Sequence, residues 1–249
     1  MPPPRILTIA GSDSSGGAGI QADIKTITVL GGYAMSAITA ITAQNTLGVN
    51  AVELLAPELV AAQIDACIGD IGVDAIKIGM LGSPAIAAVI AERLAGLAVP
   101  VVFDPVMVAS SGAALADPET IAAFERLMKL ATLTTPNVAE LAALGGHEGM
   151  TARGITYLAK GGDIKGERIE DVLVVPGAEP QIMAGTRIHT RHTHGTGCTL
   201  SSAIATYLAK GLPLPEAVDR ARLFVRSALR AAPGFGVGSG PLGHADARG

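Results

Sequence analysis

The opening of the chain constrains its fold most. A short apolar run, Ile6 to Ala10, gives way to Gly11-Ser12-Asp13-Ser14-Ser15-Gly16-Gly17-Ala18-Gly19, and then Ile20, Ile24, Ile27 and Leu30 recur at helical spacing. An apolar run of that length suits a strand buried on both faces, and the spacing after the glycines suits a helix packed on one side. The unit is strand, glycine loop, helix. Ala34 to Thr42, Ala75 to Ile78, Val99 to Phe103, Thr132 to Thr134 and Asp171 to Val175 read as further buried strands. Helices are expected near Pro57 to Ile68, Pro84 to Leu94, Pro118 to Leu130, Val138 to Leu144, Gly197 to Lys210 and Pro215 to Ala232, most with proline or an acidic residue near the start. Strands alternating with helices predict an α/β protein with a mostly parallel sheet covered on both faces.

Composition agrees with that class. The 249 residues are 49% hydrophobic and 16% charged with 31 glycines, which fits one domain spanning 1–249, built on buried strands, tight turns and alanine-rich helices. A net charge of −4 without any Lys/Arg-rich run argues against nucleic acid or an acidic membrane surface as partner. Small-molecule substrates, and a homodimer, are expected instead. Cys67 and Cys198 stand far apart without metal-type spacing, so neither a disulfide framework nor a zinc site is expected. Met1-Pro2-Pro3-Pro4-Arg5 lacks the features of a signal peptide, and no run reaches the roughly 18 apolar residues of a membrane span. A soluble, cytoplasmic protein is the expectation.

In open α/β sheets, ligands collect beyond the carboxyl ends of the strands, and most of the unusual polar residues fall there. They are Ser12 and Asp13, Gln44 and Asn45, Lys77 and Met80, Asp104 before Pro105, Thr135 with Asn137, and Lys160 before Gly161-Gly162. The run from His194 to Ala203 joins a glycine cradle, Gly195-Thr196-Gly197, to Cys198 in a first helical turn, where the helix dipole favours an anion and a thiolate. A packed Gly-Thr-Gly turn with a silent cysteine is the plainer alternative. The first glycine loop is not a P-loop, because Gly17 and Ala18 stand where Lys and Ser/Thr are required. Gly17-Ala18-Gly19-Ile20-Gln21-Ala22 matches a relaxed dinucleotide pattern. It begins about seven residues after the strand, and no acidic residue stands about 20 residues on, so a nicotinamide site is disfavoured. The loop reads better as a glycine wall beside a small substrate, with Asp13 and Asp23 as polar contacts.

Gly11 to Thr26 resembles the opening signature of the hydroxymethylpyrimidine/phosphomethylpyrimidine kinase family. Ala43-Gln44-Asn45-Thr46, Ile78-Gly79-Met80-Leu81, Asp104-Pro105-Val106-Met107, Thr135-Pro136-Asn137-Val138-Ala139-Glu140, Lys160-Gly161-Gly162 and His194 to Thr199 resemble the same family in the same order. The resemblance implies a three-layer α/β/α ribokinase-like fold with a small β flap. It also implies ATP-dependent phosphorylation of 4-amino-5-hydroxymethyl-2-methylpyrimidine, and then of its monophosphate, with Mg²⁺, in thiamine biosynthesis.

The same resemblance assigns roles. Cys198 becomes the candidate base, with its pKa lowered by the helix start and a nearby cation, while the N–H groups of Gly195, Thr196 and Gly197 stabilise the migrating phosphoryl group. A silent Cys198 stays open, because loose phosphoryl-transfer transition states ask little of a base. Lys160, Asn137 and Thr196 would contact ATP, and Asp104 and Glu140 the metal. Asn137 and Glu140 also read as a helix capping box. Gln44 suits the edge of an aminopyrimidine, since an amide both donates and accepts, with Gly11, Asp23 and Met80 as weaker substrate contacts and Met80 equally readable as core.

Three positions depart from the family pattern. Ser110 replaces lysine, Asp163 replaces histidine and Gly243 replaces asparagine. In addition, only fifteen residues separate Leu144 from Lys160, so a helix from Thr151 is expected to be short or partly lost. The ending from Pro233 to Gly249 either folds over a nucleotide or frays. Two other functions stay open: a pyridoxal or related vitamin-alcohol kinase, and a catalytically silent protein that binds precursors or nucleotides.

Overall fold

A computed structural model of the chain describes residues 2–108 and 115–247, so Ser110 lies outside the described residues. The first strand, β1 (Arg5–Asp13), turns through the glycine loop into α1 (Gly19–Val29). It pairs in parallel with β2 (Tyr33–Asn45) on one side and β4 (Ala75–Ile78) on the other. Beyond β4 the parallel sheet continues through β5 (Val101–Phe103), β6 (Leu133–Thr134) and β7 (Tyr157–Ala159). Antiparallel strands finish both edges: β3 (Gly48–Leu54) against β2, and the hairpin of β8 (Arg168–Val174) and β9 (Gln181–Thr186) against β7. The full order is β3-β2-β1-β4-β5-β6-β7-β8-β9, the mostly parallel sheet that the alternating pattern predicts.

Successive strand residues point to opposite faces, and each face has its own core. Leu7, Ile9, Ile76, Ile78, Val101 and Phe103 pack against α2 (Pro57–Ala66), α3 (Pro84–Leu94) and α4 (Pro118–Leu130). Ile6, Ala75, Val102, Leu133 and Leu158 pack against α1, α7 (Thr196–Ala209) and α8 (Leu214–Arg230). Local chemistry sets the helix starts. Ser83 and Asp117 accept from the N–H groups of Ile86 and Thr120, and Pro84 and Pro118 follow at the first helical position.

Sequence and structure differ at several places. The helix expected through Ile68 ends at Ala66 and continues as a π turn, Cys67–Ile71. Between Leu144 and Lys160 the chain holds α6 (Gly146–Ala152) and the short β7. The helix therefore ends close to Thr151, where it was expected to begin. α5 (Val138–Ala143) precedes it.

The described part of the C-terminal segment does not fray. Leu242, His244 and Ala247 are buried, His194 N–H donates to Gly240 O at 3.1 Å, and Gly243 N–H donates to Ala228 O at 3.0 Å. The departure at Gly243 has a steric reason, since a Cβ there would lie 1.9 Å from Ala231 O. Among the described residues, no helix is long and apolar enough to cross a membrane.

Candidate active site

A cavity of about 790 Å³ opens beyond the carboxyl ends of the parallel strands. Gly195, Thr196, Gly197 and Cys198 line it where α7 begins. Gly195 adopts φ +87°, which only glycine holds without strain, and a Cβ there would lie 1.9 Å from Gly17 O. The cradle and the first glycine loop therefore meet backbone to backbone. Thr196 N–H donates to Thr193 O at 3.3 Å, and the N–H groups of Gly197 and Cys198 that follow in the first turn of α7 offer donors to an anion.

Beside the cradle, Lys160 Nζ lies 2.8 Å from Asp104 Oδ1 and 3.8 Å from Glu140 Oε2. Thr135 donates to the same Asp104 oxygen, while Oδ2 faces Gly197, whose added Cβ would lie 3.3 Å away. Burial works against every charge in this cluster. The carboxylates nonetheless raise the Lys160 ammonium, and Lys160 with Lys77 holds Asp104 below the usual carboxylate range. Burial dominates at Glu140 and pushes it up. Asn137 and Glu140 do form the capping box, with Glu140 N–H on Asn137 Oδ1 at 2.9 Å and Asn137 N–H on Glu140 Oε2 at 2.8 Å. The cap fixes Glu140 next to Lys160.

Among the described residues, no group of three or more His, Cys, Asp and Glu forms a metal cage. Mg²⁺ does not need one, since it usually keeps several waters and is held by one or two carboxylates plus substrate phosphates. Asp104 and Glu140, at the phosphate end of the cavity, fit that donor set.

At the other end, Gly11, Gln44 and Met80 line the cavity together. A Cβ on Gly11 would lie 2.6 Å from Met80 Sδ, so the glycine makes room for the thioether. The Gln44 amide accepts from Thr42 Oγ1 at 3.2 Å, and its nitrogen lies 3.3 Å from His194 Nε2. His194 Nε2 also lies 2.8 Å from Asp13 Oδ2. Asp13 accepts from the N–H groups of Ser15, Gly17 and Ala18 as well. Burial pushes the Asp13 carboxyl up, and hydrogen bonds from His194, Ser15 and Ala18 outweigh it to hold it at about 2. Asp13 is thus the buried brace of the loop. The His194 link was not anticipated, although a histidine directly before the cradle was its available signal.

With this geometry in place, a sequence profile described as phosphomethylpyrimidine kinase matches residues 13–243. The chain belongs to the phosphomethylpyrimidine kinase family. A hydroxymethylpyrimidine/phosphomethylpyrimidine kinase of Rhizobium meliloti is 48% identical over 96% of this chain and 96% of its own length. The structure of an ADP complex of Bacillus subtilis pyridoxal kinase superposes with a TM-score of 0.89 at 35% identity, covering 98% of each chain. A phosphomethylpyrimidine kinase of Clostridium difficile superposes at 0.76 with 41% identity, covering 90% of this chain and 99% of the other.

Two expectations need correction for this member of the phosphomethylpyrimidine kinase family. Asp23 is not placed to touch a substrate: it is fully buried in α1, paired with Lys77 at 2.8 Å and bonded by Thr8 and Ser202. The fifth residue of α1 turns toward α7 and the sheet, away from the cavity. Cys198 lines the cavity as expected, but its thiol is not lowered. Burial pushes it up to about 11, outweighing the pull of Lys77 and the Gly19 N–H, while Asp23 and Asp104 push the same way as burial.

Proposed function

We propose that this chain, a phosphotransferase by family, moves the γ-phosphoryl group of ATP onto the hydroxymethyl group of 4-amino-5-hydroxymethyl-2-methylpyrimidine. It then phosphorylates the resulting monophosphate, in thiamine biosynthesis. The observation that carries this reading is the joint placement of Gln44, Met80, Cys198 and the Gly195–Gly197 cradle around one cavity. Gln44 holds the aminopyrimidine edge, Met80 packs on its ring and Gly11 sets the floor. The hydroxymethyl group then points at Cys198. The N–H groups of the cradle receive the phosphoryl oxygens as charge shifts onto them, the electrostatic role that usually dominates such transfers.

Lys160, Asn137 and Thr196 would meet the ATP phosphates, and Asp104 and Glu140 would hold a Mg²⁺ ion, which would supply neutralisation of phosphate charge. Residues 1–249 act as one domain. Exposed Ile41, Val52 and Leu54 on the β2–β3 edge support a homodimer, which sedimentation velocity tests. A reaction that uses ATP and a free thiol supports a cytoplasmic setting.

ADP release measured with the pyrimidine alcohol, its monophosphate and pyridoxal tests the reading. Turnover of both pyrimidines is expected. Turnover of pyridoxal alone would replace it with a pyridoxal kinase reading, and binding without ADP release would leave a silent binding protein.

A further inference from the structure

Lys77 interrupts the apolar strand β4, is fully buried, and has no part in the chemistry above. Its surroundings form a layer directly beneath Cys198. In α7, Cys198 and Ser202 are four residues apart, and in α1 so are Gly19 and Asp23, so each pair shares a helix face one turn apart. Gly19 and Cys198 both line the cavity in the upper layer. One turn down, Ser202 Oγ donates to Asp23 Oδ1 at 2.7 Å. Lys77 Nζ completes that lower layer at 2.8 and 3.0 Å from the two Asp23 oxygens, and Thr8 Oγ1 donates to Oδ2 at 2.5 Å. Thr8 and Lys77 are register partners on β1 and β4. Gly79 leaves space for the ammonium, since a Cβ there would lie 2.7 Å from Nζ.

A fully buried ion pair is poorly explained by stability, because apolar residues of similar volume commonly serve as well or better. Its position explains it better. We propose that Lys77 and Asp23 are a positioning pair for Cys198: between them they set the positive field at its sulfur, and so its readiness to take the substrate proton. This rests on reading Cys198 as the base. In that step the substrate O–H bond breaks and its proton goes to the thiolate. The freed oxygen bonds to the γ-phosphorus, and the electron pair of the broken P–O bond leaves with ADP.

The charged groups facing Cys198 are Asp23 from α1, Lys77 from β4, Asp104 beyond β5 and Lys160 beyond β7. Lys77 lowers the thiol, and Asp23 and Asp104 raise it. Burial acts to remove the Lys77 proton, and Asp23 leads the charges that keep it on. The two members of the pair thus act on the sulfur with opposite signs.

The test is the pH profile of iodoacetamide alkylation at Cys198 in the intact protein, read by peptide mass spectrometry with Cys67 as internal reference. Lys77→Met is expected to move the Cys198 midpoint up by about one pH unit or more and to lower kcat while KM for ATP holds; Asp23→Asn is expected to move the midpoint down by a smaller amount. The Cys67 profile stays fixed. Midpoints that do not move, or that move in the same direction, overturn the proposal. Where a single variant does not fold, the charge-neutral Lys77→Met/Asp23→Asn double variant is expected to raise the midpoint, and an unchanged midpoint overturns the proposal again. Cys198→Ala with full kcat would instead remove the base reading while leaving the alkylation result standing.

Discussion

Cys198 shows how a residue can be found in a sequence while its state is not. Its place after Gly195-Thr196-Gly197 announces a helix start, which favours a thiolate, but burial in the cavity pushes the thiol to about 11. A base must be deprotonated to work, so kcat is expected to climb from pH 7 to pH 10 as the thiolate fraction grows. Cys198→Ala is expected to lose about 10²-fold in kcat and that slope with it. A variant with the parent profile would return the cysteine to packing. Gln44 lines the cavity, and its contacts with Thr42 and His194 orient its amide in advance. Gln44→Ala is expected to raise KM for the pyrimidine by the equivalent of ~1 to 3 kcal/mol with KM for ATP unchanged, since ring atoms lose their partner. Steady-state titration of each substrate measures the split. Asp23 was misread for a physical reason. A lone acid after a glycine loop looks like a ligand contact, and only the helix phase reveals that it faces Lys77 on β4.

At the scale of elements, legibility followed length and periodicity. β5 is an uninterrupted apolar run, those of β1 and β4 are broken only by Thr8 and Lys77, and α3 and α4 carry proline and a capping side chain, so their positions could be read directly. β3 and β9 are largely exposed, and α6 contains two glycines, so none of these carries a periodic signal. The C-terminal turn carries no periodic signal either, yet it braces α7: His244 Nε2 lies 2.9 Å from Thr199 Oγ1, one turn into the helix that forms the cradle. Burial, together with the nearby Lys25 charge, lowers the His244 ring to about 4. The unfolded chain takes up that proton near pH 6.5 and the folded chain only near 4, so between these values the unfolded state binds more protons. Folding stability is therefore expected to fall by about 3 kcal/mol as the pH drops from about 6.5 to 4, and to level off in this contribution below that. Asp13, held at about 2, adds its own loss only at lower pH, below the usual carboxylate range. Urea midpoints across this range measure the effect. His244→Gln is expected to remove most of the slope between pH 6.5 and 4, and an equal slope in both proteins would show that another group titrates.

For the whole molecule, the class of fold was legible because alternation of strand and helix leaves few ways to cover a parallel sheet, and the cavity lies where such sheets place their ligands. What the alternation does not convey is how far apart in the chain the walls of the cavity begin. Gly11 and Asp13 end β1, Lys160 follows β7, and the cradle opens α7, while the bridge between His194 and Pro241 brings the C-terminal segment against it. Gly17 lies in the same junction, since an added Cβ there would lie 3.3 Å from Pro241 Cβ and 2.4 Å from His194 Cδ2. The C-terminal segment is therefore packed against the residues that lead into the start of α7. Deleting residues 240–249 removes the Gly240 acceptor for His194 and the buried Leu242, His244 and Ala247, none of which belongs to the sheet. The shortened chain is expected to keep its α/β circular dichroism and lose ligand binding at the cradle. A non-hydrolysable ATP analogue at a hundred times its dissociation constant stabilises a binding-competent protein by about 2.7 kcal/mol. Thermal melts with and without the analogue are expected to show that gain for the full chain and little for the truncated one. An equal shift in both would mean that the cradle forms without its C-terminal brace, and that the sheet and α7 alone define the phosphate site.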